Sequence, residues 1–163
     1  MTGNTVGSLL NTEKAYIAGF LDGDGSIMLQ IKRRSDTDRG YRFMATVCLH
    51  QDSRHDKPLH WIRKALRCGY LSKRNDGMTE LRINGFTKVR EVLETLQPYL
   101  RFKTLQAEAM VTACSVLEIG IRKLSKDELL QVVDLLLIIQ RENYKSHHKN
   151  SRDEVLKMIN MTP

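Results

Sequence analysis

The feature that most constrains the fold is a change of hydrophobic period across a junction rich in glycine and aspartate. Apolar residues recur at helical spacing over Glu13 to Leu21, and Gly23-Asp24-Gly25 follows directly. From Ser26 to Arg34 the period is two, with apolar groups on one face and polar or basic groups on the other. We therefore predict a helix that stops at the glycines, then a strand, then a polar loop over Ser35–Gly40 and a second two-faced strand over Tyr41–His50.

The same helix-strand-strand unit recurs in outline. A helix is predicted over Lys57–Arg67, followed by a hairpin of Tyr70–Arg74 and Met78–Asn84. Thr87 is the expected N-cap of a further helix over Lys88–Leu96. The predicted order is α-β-β-α-β-β-α, which makes the chain an α+β protein.

The remaining sequence predicts additional C-terminal helices. One runs from Leu105 to about Ile119, and Ser125-x-x-Glu128 and Ser151-x-x-Glu154 are capping boxes that open two more. Lys145–Asn150 is the expected solvated connector. Because the chain contains no Pro/Gly-rich linker, we expect one domain over residues 1–163, with a core of about 12–103 and a helical part of about 104–163.

Composition narrows the functional class. The 163 residues carry 26 Lys+Arg and 19 Asp+Glu, a net charge of +7, which favours a nucleic-acid partner. The longest apolar stretch falls short of the ~20 residues of a membrane span, so we expect no membrane association. Three cysteines without a C-x-x-C pair indicate a reducing compartment, and the start of the chain shows no secretory signal. We expect an intracellular protein, in the cytoplasm, the nucleoid or an organelle.

The first helix is unusual in its small residues. Ala18, Gly19 and Gly23 place small groups on one face, although glycine inside a helix costs about 1 kcal/mol relative to alanine. Close approach of a second copy of the helix would offset that cost. The C-terminal aspartates of two parallel copies would then converge, and paired carboxylates suit a hard divalent ion such as Mg²⁺ that also binds phosphate oxygens.

The Asp-Gly-Asp-Gly segment has two other interpretations, a turn without a ligand and a calcium-binding EF-hand loop. The segment also fits a simple turn that joins helix to strand. An EF-hand loop fits poorly, because twelve positions counted from Asp22 reach Arg33 where a bidentate glutamate is needed. None of the five histidines forms H-x-x-x-H or H-E-x-x-H, so the sequence does not predict a histidine zinc site.

The run Ile17-Ala18-Gly19-Phe20-Leu21-Asp22-Gly23-Asp24-Gly25 resembles the signature of the LAGLIDADG homing endonucleases. The element order predicted above agrees with the core of that family, so the resemblance covers roughly Thr12 to Lys103. The motif occurs once, as in the homodimeric branch, whose motif helices form the subunit interface and each supply one essential aspartate. The implied interface residues are Ala18, Gly19, Asp22 and Gly23.

The resemblance also implies the catalytic residues. Asp24 is the expected metal ligand, with the carbonyl of Gly23 beside it. Gln51 matches a polar residue that orders solvent near the scissile phosphate, and Lys103 matches a lysine that helps activate water or stabilise phosphate charge. A further basic residue falls near Arg54 or His55, while Asp22 is expected to be structural.

The implied reaction is Mg²⁺-dependent hydrolysis of both DNA strands, with Mn²⁺ or Ca²⁺ able to substitute in binding and no small-molecule cofactor. It leaves 5′-phosphate and 3′-hydroxyl ends at a long, nearly palindromic site, and the reading frame is expected to lie in an intron. The outer face of the four-stranded antiparallel saddle has the side chains that major-groove recognition uses. The expected DNA-contacting residues are Gln30, Lys32, Arg34, Arg42, Thr46, His50, Ser72, Arg74, Glu80, Arg82 and Asn84.

Two alternatives to a nuclease stay open at this point. One is an RNA-binding intron maturase of the same fold, and the other is a DNA-binding regulator without catalysis. The presence of Asp24, Gln51 and Lys103 favours the nuclease, because binding alone requires none of them. The methionines, including Met44 and Met110, are predicted to be packing residues.

Overall fold

A computed structural model describes residues 8–143, 147 and 149–161 of the chain. The predicted connector over Lys145–Asn150 therefore lies largely outside the described residues. Within them the chain forms six α-helices and four strands in the predicted α+β order. The elements are α1 (Asn11–Asp24), β1 (Gly25–Arg33), β2 (Tyr41–Asp52), α2 (Lys57–Leu66), β3 (Tyr70–Lys73), β4 (Met78–Asn84), α3 (Phe86–Leu96), α4 (Thr104–Leu117), α5 (Lys126–Glu142) and α6 (Arg152–Met158).

The four strands form one antiparallel sheet in the order β1-β2-β4-β3. Gly25 lies opposite Leu49 in the first pair, and His50 lies opposite Glu80 in the second. Because side chains alternate along each strand, this register gives the sheet one apolar and one polar face. The apolar face is almost fully buried, as shown by Ile27, Val47 and Leu81, each 1% exposed or less.

The helices cover the apolar face. Helices α1 and α3 pack on the central strand β2, and α4 and α5 pack against each other and against β1. Buried side chains from all of these elements form one hydrophobic cluster. Among the described residues, none of the helices is both long and apolar enough to cross a lipid bilayer.

The first helix extends further than the sequence predicted. Helix α1 continues through Gly23 to Asp24 instead of stopping after Leu21. The Lys103 ammonium donates to the Asp22 carbonyl at 2.6 Å, which supplies a cation where the helix dipole is negative. Strand β1 then starts at once, and only glycine fits at position 25, because an added Cβ would lie 2.7 Å from the Leu21 carbonyl oxygen.

The ends of the other helices and strands lie at or within a few residues of the predicted positions. Both predicted capping boxes are present, with Ser125 and Ser151 accepting from the backbone three residues on. The assignment of Thr87 as an N-cap is wrong, because α3 begins at Phe86 after Gly85, whose positive φ of 98° makes the turn out of β4. Strand β2 is two residues longer than predicted, because its pairing with β4 extends to Asp52.

Candidate active site and nucleic-acid interface

Asp22 anchors the end of α1 to the segment that precedes α4. Its carboxylate accepts backbone N–H bonds from Arg101 at 2.7 Å, Lys103 at 3.0 Å and Phe102 at 3.3 Å. Since Asp22 is only 7% exposed, these bonds satisfy a carboxylate that is almost enclosed. These contacts agree with the structural role expected for Asp22, which ties the end of α1 to residues 101–103.

Lys103 is fixed by the same arrangement. Its side chain is 8% exposed and its ammonium donates to the Asp22 carbonyl, so the lysine lies against the last turn of α1. It also lines a cavity of about 470 Å³ between β1, α4 and α5. Gln106, whose buried Oε1 has no hydrogen-bond partner among the described residues, lines the same cavity.

Asp24 is presented differently from Asp22. It is the last residue of α1 and its side chain is exposed. Within the described residues it does not belong to a group of three or more potential metal-ligand side chains. The carboxylate of Asp24 and the nearby carbonyl of Gly23 are hard oxygen donors, the type that Mg²⁺ and Ca²⁺ prefer. This donor set fits such an ion, although one protomer supplies only a single carboxylate.

Gln51 lies at the end of β2 closest to this helix terminus. The β1–β2 register places Gly25 opposite Leu49, so Gln51 lies two positions beyond the first pair, on the side where α1 ends. Its Oε1 accepts from the Asp52 backbone N–H at 2.9 Å, which orients the amide. The structure therefore places Gln51 at the motif-helix end of the sheet. Arg54 instead pairs with Asp52 at 2.7 Å, and His55 is exposed.

The exposed side of α1 includes both of its internal glycines. Gly19 and Gly23 are exposed, and a Cβ built at either position meets nothing within 4 Å. Ala18 is 0% exposed and Asp22 is 7% exposed within the single chain, so neither offers surface to a partner. Of the four residues expected at a subunit interface, only Gly19 and Gly23 therefore have exposed surface in the single chain. Tyr16, 51% exposed, extends the same face and contacts the ring of Trp61 at 5.6 Å between centroids.

The outer face of the sheet is mainly basic and partly exposed. Gln30, Lys32 and Arg42 are exposed, with Lys32 directly opposite Arg42. Asn84 is also exposed, and Arg34 pairs with Asp36 in the loop beyond β1 at 2.7 Å.

Glu80 organises the other half of this face. Its carboxylate accepts from Arg74 at 2.8 Å and from Arg82 at 3.0 Å, and His50 Nδ1 lies 3.4 Å away. Burial raises the pKa of Glu80, but hydrogen bonds from the two arginines outweigh it and leave that pKa below its ordinary value. Glu80 thus positions two arginines and is only 6% exposed, although the sequence predicted it as a DNA-contacting residue.

Comparison with known proteins identifies the family. The model of the LAGLIDADG endonuclease family matches residues 17–116. This chain belongs to that family. It is 39% identical to the DNA endonuclease I-CvuI of Chlorella vulgaris over 97 residues, which are 60% of each chain. It is 28% identical to the DNA endonuclease I-CreI of Chlamydomonas reinhardtii over 117 residues, 72% of this chain and 70% of that protein.

A solved structure supports the fold over a larger part of the chain. The crystal structure of I-CvuI in complex with its target in the presence of calcium matches with a TM-score of 0.75 and 27% identity, covering 93% of this chain and 97% of that one. The sequence alignment to I-CvuI spans only 60% of that protein. The LAGLIDADG motif helix is therefore α1, and the sheet is the family's four-stranded saddle.

Some residues of the LAGLIDADG saddle differ from the sequence-based expectation. Thr46 is 1% exposed and donates to Asn84 at 2.8 Å, so it supports Asn84 and is covered in the protomer. Met44, predicted to be a packing residue, lies on the outer face opposite Gln30, whereas Met110 is fully buried as predicted. Tyr70, opposite Arg82 and 49% exposed, was missed, although the period-two pattern that identified Ser72 also places Tyr70 on this face.

Proposed function

We propose that this chain is a site-specific homing endonuclease that acts as a homodimer and cuts both strands of a long, nearly palindromic DNA site. One observation carries the proposal: the contacts of Asp22 and Lys103 hold the end of α1 so that Asp24 is exposed at the start of β1, a strand of the sheet whose outer face is mainly basic. The similarity to two DNA endonucleases supports it. Intron homing and an intracellular location are parts of the same proposal.

We assign the metal to Asp24, with the Gly23 carbonyl beside it. A hard divalent ion is the expected type, with Mg²⁺ as the active ion and Mn²⁺ or Ca²⁺ able to bind. Such an ion supplies electrostatic stabilisation of the charge that develops on the scissile phosphate. Since each chain contributes one carboxylate, the site requires a second copy of the chain and the DNA phosphates to be complete.

Two side chains complete the proposed catalytic set. The Lys103 ammonium, held at the Asp22 carbonyl, provides a fixed positive charge next to the end of the motif helix. The Gln51 amide, whose Oε1 is engaged by the backbone, can orient a water molecule through its Nε2 group. The products are 5′-phosphate and 3′-hydroxyl ends.

The DNA would lie along the outer face of the saddle. Lys32, Arg42 and Gln30 are exposed there and match the side chains that contact phosphates and base edges. A two-fold dimer presents this surface twice, which is why the proposed site is nearly palindromic.

The Asp24→Asn variant tests the assignment. We expect DNA affinity to be retained while Mg²⁺-dependent cleavage falls by about 10³-fold or more, because several kcal/mol of transition-state stabilisation are lost. Asp127→Asn is the matched control: this exposed aspartate lies in the first turn of α5, roughly 18 Å along that helix from the first residue that lines the cavity at its far end. Equal cleavage by wild type and Asp24→Asn would refute the site assignment.

The DNA substrate can be identified by selecting cleaved sequences from a randomised duplex library in Mg²⁺. A long sequence with two-fold symmetry, cut in both strands near its centre, is the expected product. Binding of the library without cleavage would instead support the regulator, and a preference for structured RNA would support the maturase.

A further inference from the structure

A second potential metal site lies on the sheet, separate from Asp24. Cys48 and His50 are neighbours on the outer side of β2, and Glu80 lies opposite His50 on β4. One potential ligand atom from each of the three lies within 4.8 Å of the others. Nδ1 of His50 is 3.8 Å from Cys48 Sγ and 3.4 Å from Glu80 Oε1.

These spacings suit a tetrahedral zinc ion. Bond lengths of about 2.0–2.3 Å place neighbouring ligand atoms of such a site roughly 3.3–3.6 Å apart. The two separations at His50 are close to that range before any rearrangement. A thiolate, an imidazole and a carboxylate also form a borderline-soft donor set that favours Zn²⁺ over Mg²⁺.

We propose that Cys48, His50 and Glu80 bind a zinc-type divalent cation, with solvent in the fourth position. The assignment rests on the geometry of one protomer and does not depend on the proposed nuclease function. The sequence did not reveal it, because the ligands come from two strands and the Cys-x-His spacing is not a zinc motif by itself.

The arginines bound to Glu80 are the main competitors for this ion. Arg74 donates to the same Oε1 atom that the metal would take, but it also pairs with Asp76 at 2.8 Å and its side chain is 48% exposed. Arg74 can therefore leave Glu80 and keep a carboxylate partner. Arg82 binds the other oxygen, Oε2, and can remain there as a supporting contact.

Proton release accompanies binding. Burial raises the pKa of the Cys48 thiol to about 11, with Glu80 adding to the effect, so the thiol is protonated before the metal arrives. When the Zn–S bond forms, the S–H bond breaks and the proton passes to the buffer. Zinc occupancy would then change the partner of Arg74 on the face that we propose contacts DNA.

The first experiment titrates the full chain with zinc in the absence of DNA and measures binding by calorimetry. A second titration, with Co²⁺, measures the thiolate charge-transfer band in the near ultraviolet. One ion per protomer is expected to bind. Cys48→Ser and His50→Gln should each weaken binding more than the roughly 10–100-fold typical of losing a supporting contact. The matched control Cys68→Ser, which alters a partly buried thiol outside the cluster, should bind as wild type does.

A second variant tests the exchange at Glu80. Arg74→Ala removes the competing cation and should tighten zinc binding several-fold, whereas Arg122→Ala removes one charge from the 3₁₀ turn Ile121–Lys123, outside the cluster, and should leave zinc binding unchanged. Absence of zinc binding by the wild type, or equal binding by Cys48→Ser, would overturn the site. An unchanged zinc affinity in Arg74→Ala would show that Arg74 does not compete with the ion for Glu80. Each readout is independent of DNA cleavage, so failure of this site and failure of the proposed nuclease can be told apart.

Discussion

Asp22 and Asp24 are separated by one glycine, yet the fold treats them in opposite ways. The carboxylate of Asp22 is enclosed and accepts three backbone N–H groups from residues 101–103. Asp24 is exposed at the helix end. The first carboxylate fixes the geometry, which leaves the second available for a ligand.

Replacing Asp22 with alanine should destabilise the protein. The change leaves the buried Lys103 N–H and its neighbours without an acceptor, so we expect the free energy of unfolding to fall by about 2–4 kcal/mol. Urea denaturation followed by circular dichroism measures this loss. Asp22→Asn, which keeps one acceptor oxygen, is the control and should lose less; a loss in the alanine variant no greater than in the asparagine variant would contradict the proposed role.

At the scale of elements, contacts between neighbouring strands position the charged side chains on the outer side of the sheet. Strands β2 and β4 bring His50 opposite Glu80, and the hairpin of β3 and β4 brings Arg74 within reach of the same carboxylate. A sheet without Glu80 would present two adjacent arginines that repel each other. The acidic residue therefore organises a basic surface.

Glu80 also predicts a pH dependence of stability. Because the folded-state pKa of Glu80 lies below its ordinary value of 4.5, its contribution is present above that value and is lost as the pH falls through the lowered pKa. Glu80→Gln should lower the free energy of unfolding by about 1–2 kcal/mol at neutral pH.

Urea titrations at neutral pH and below the lowered pKa test this dependence. The difference between wild type and Glu80→Gln should shrink in acid, because protonated Glu80 has lost its charge as well. Glu91→Gln, at an exposed surface pair with Lys88, is the control and should show little difference at either pH. A constant difference for Glu80→Gln would contradict the assignment.

At the scale of the whole molecule, the open face of α1 is the feature that one chain leaves unexplained. Gly19 and Gly23 contact nothing that would require glycine within the protomer, although each costs helix stability. The proposed packing against a second motif helix would account for both. The same pairing would bring two copies of Asp24 together.

Gly19→Leu separates folding from association. The protomer should fold at least as stably as wild type, because leucine is favoured over glycine in helices by about 1 kcal/mol and space is open at this position. Sedimentation equilibrium should give the 18.8 kDa protomer for the variant and twice that mass for the wild type.

The control for this prediction adds similar bulk elsewhere. Thr112→Leu changes an exposed position of α4 and should remain dimeric. Gly19→Leu that associates as strongly as wild type would show that α1 is not the subunit interface.

Much of the fold could be predicted from local sequence. The change from helical to two-residue period at Gly25, the hairpin of β3 and β4, and the capping boxes at Ser125 and Ser151 all appear in the structure. Alternation also predicts the basic outer face, on which Lys32 and Arg42 are exposed, whereas the role of Asp24 as metal ligand stays a prediction from the motif. These features depend on residues close together in the chain, where spacing determines geometry.

Other features depended on contacts between distant parts of the chain. The local pattern ended helix α1 early, and the motif resemblance put Asp22 among the expected interface residues, because neither includes the bonds that residues 101–103 make to Asp22. The local pattern likewise predicted Thr46 and Glu80 as exposed, whereas Thr46 bonds Asn84 of β4 and Glu80 is covered by contacts that include Arg74 of the β3–β4 turn. The sequence by itself determined the elements and their two-faced character, while the tertiary structure decided which polar groups are enclosed, because burial arises only when segments far apart in sequence meet.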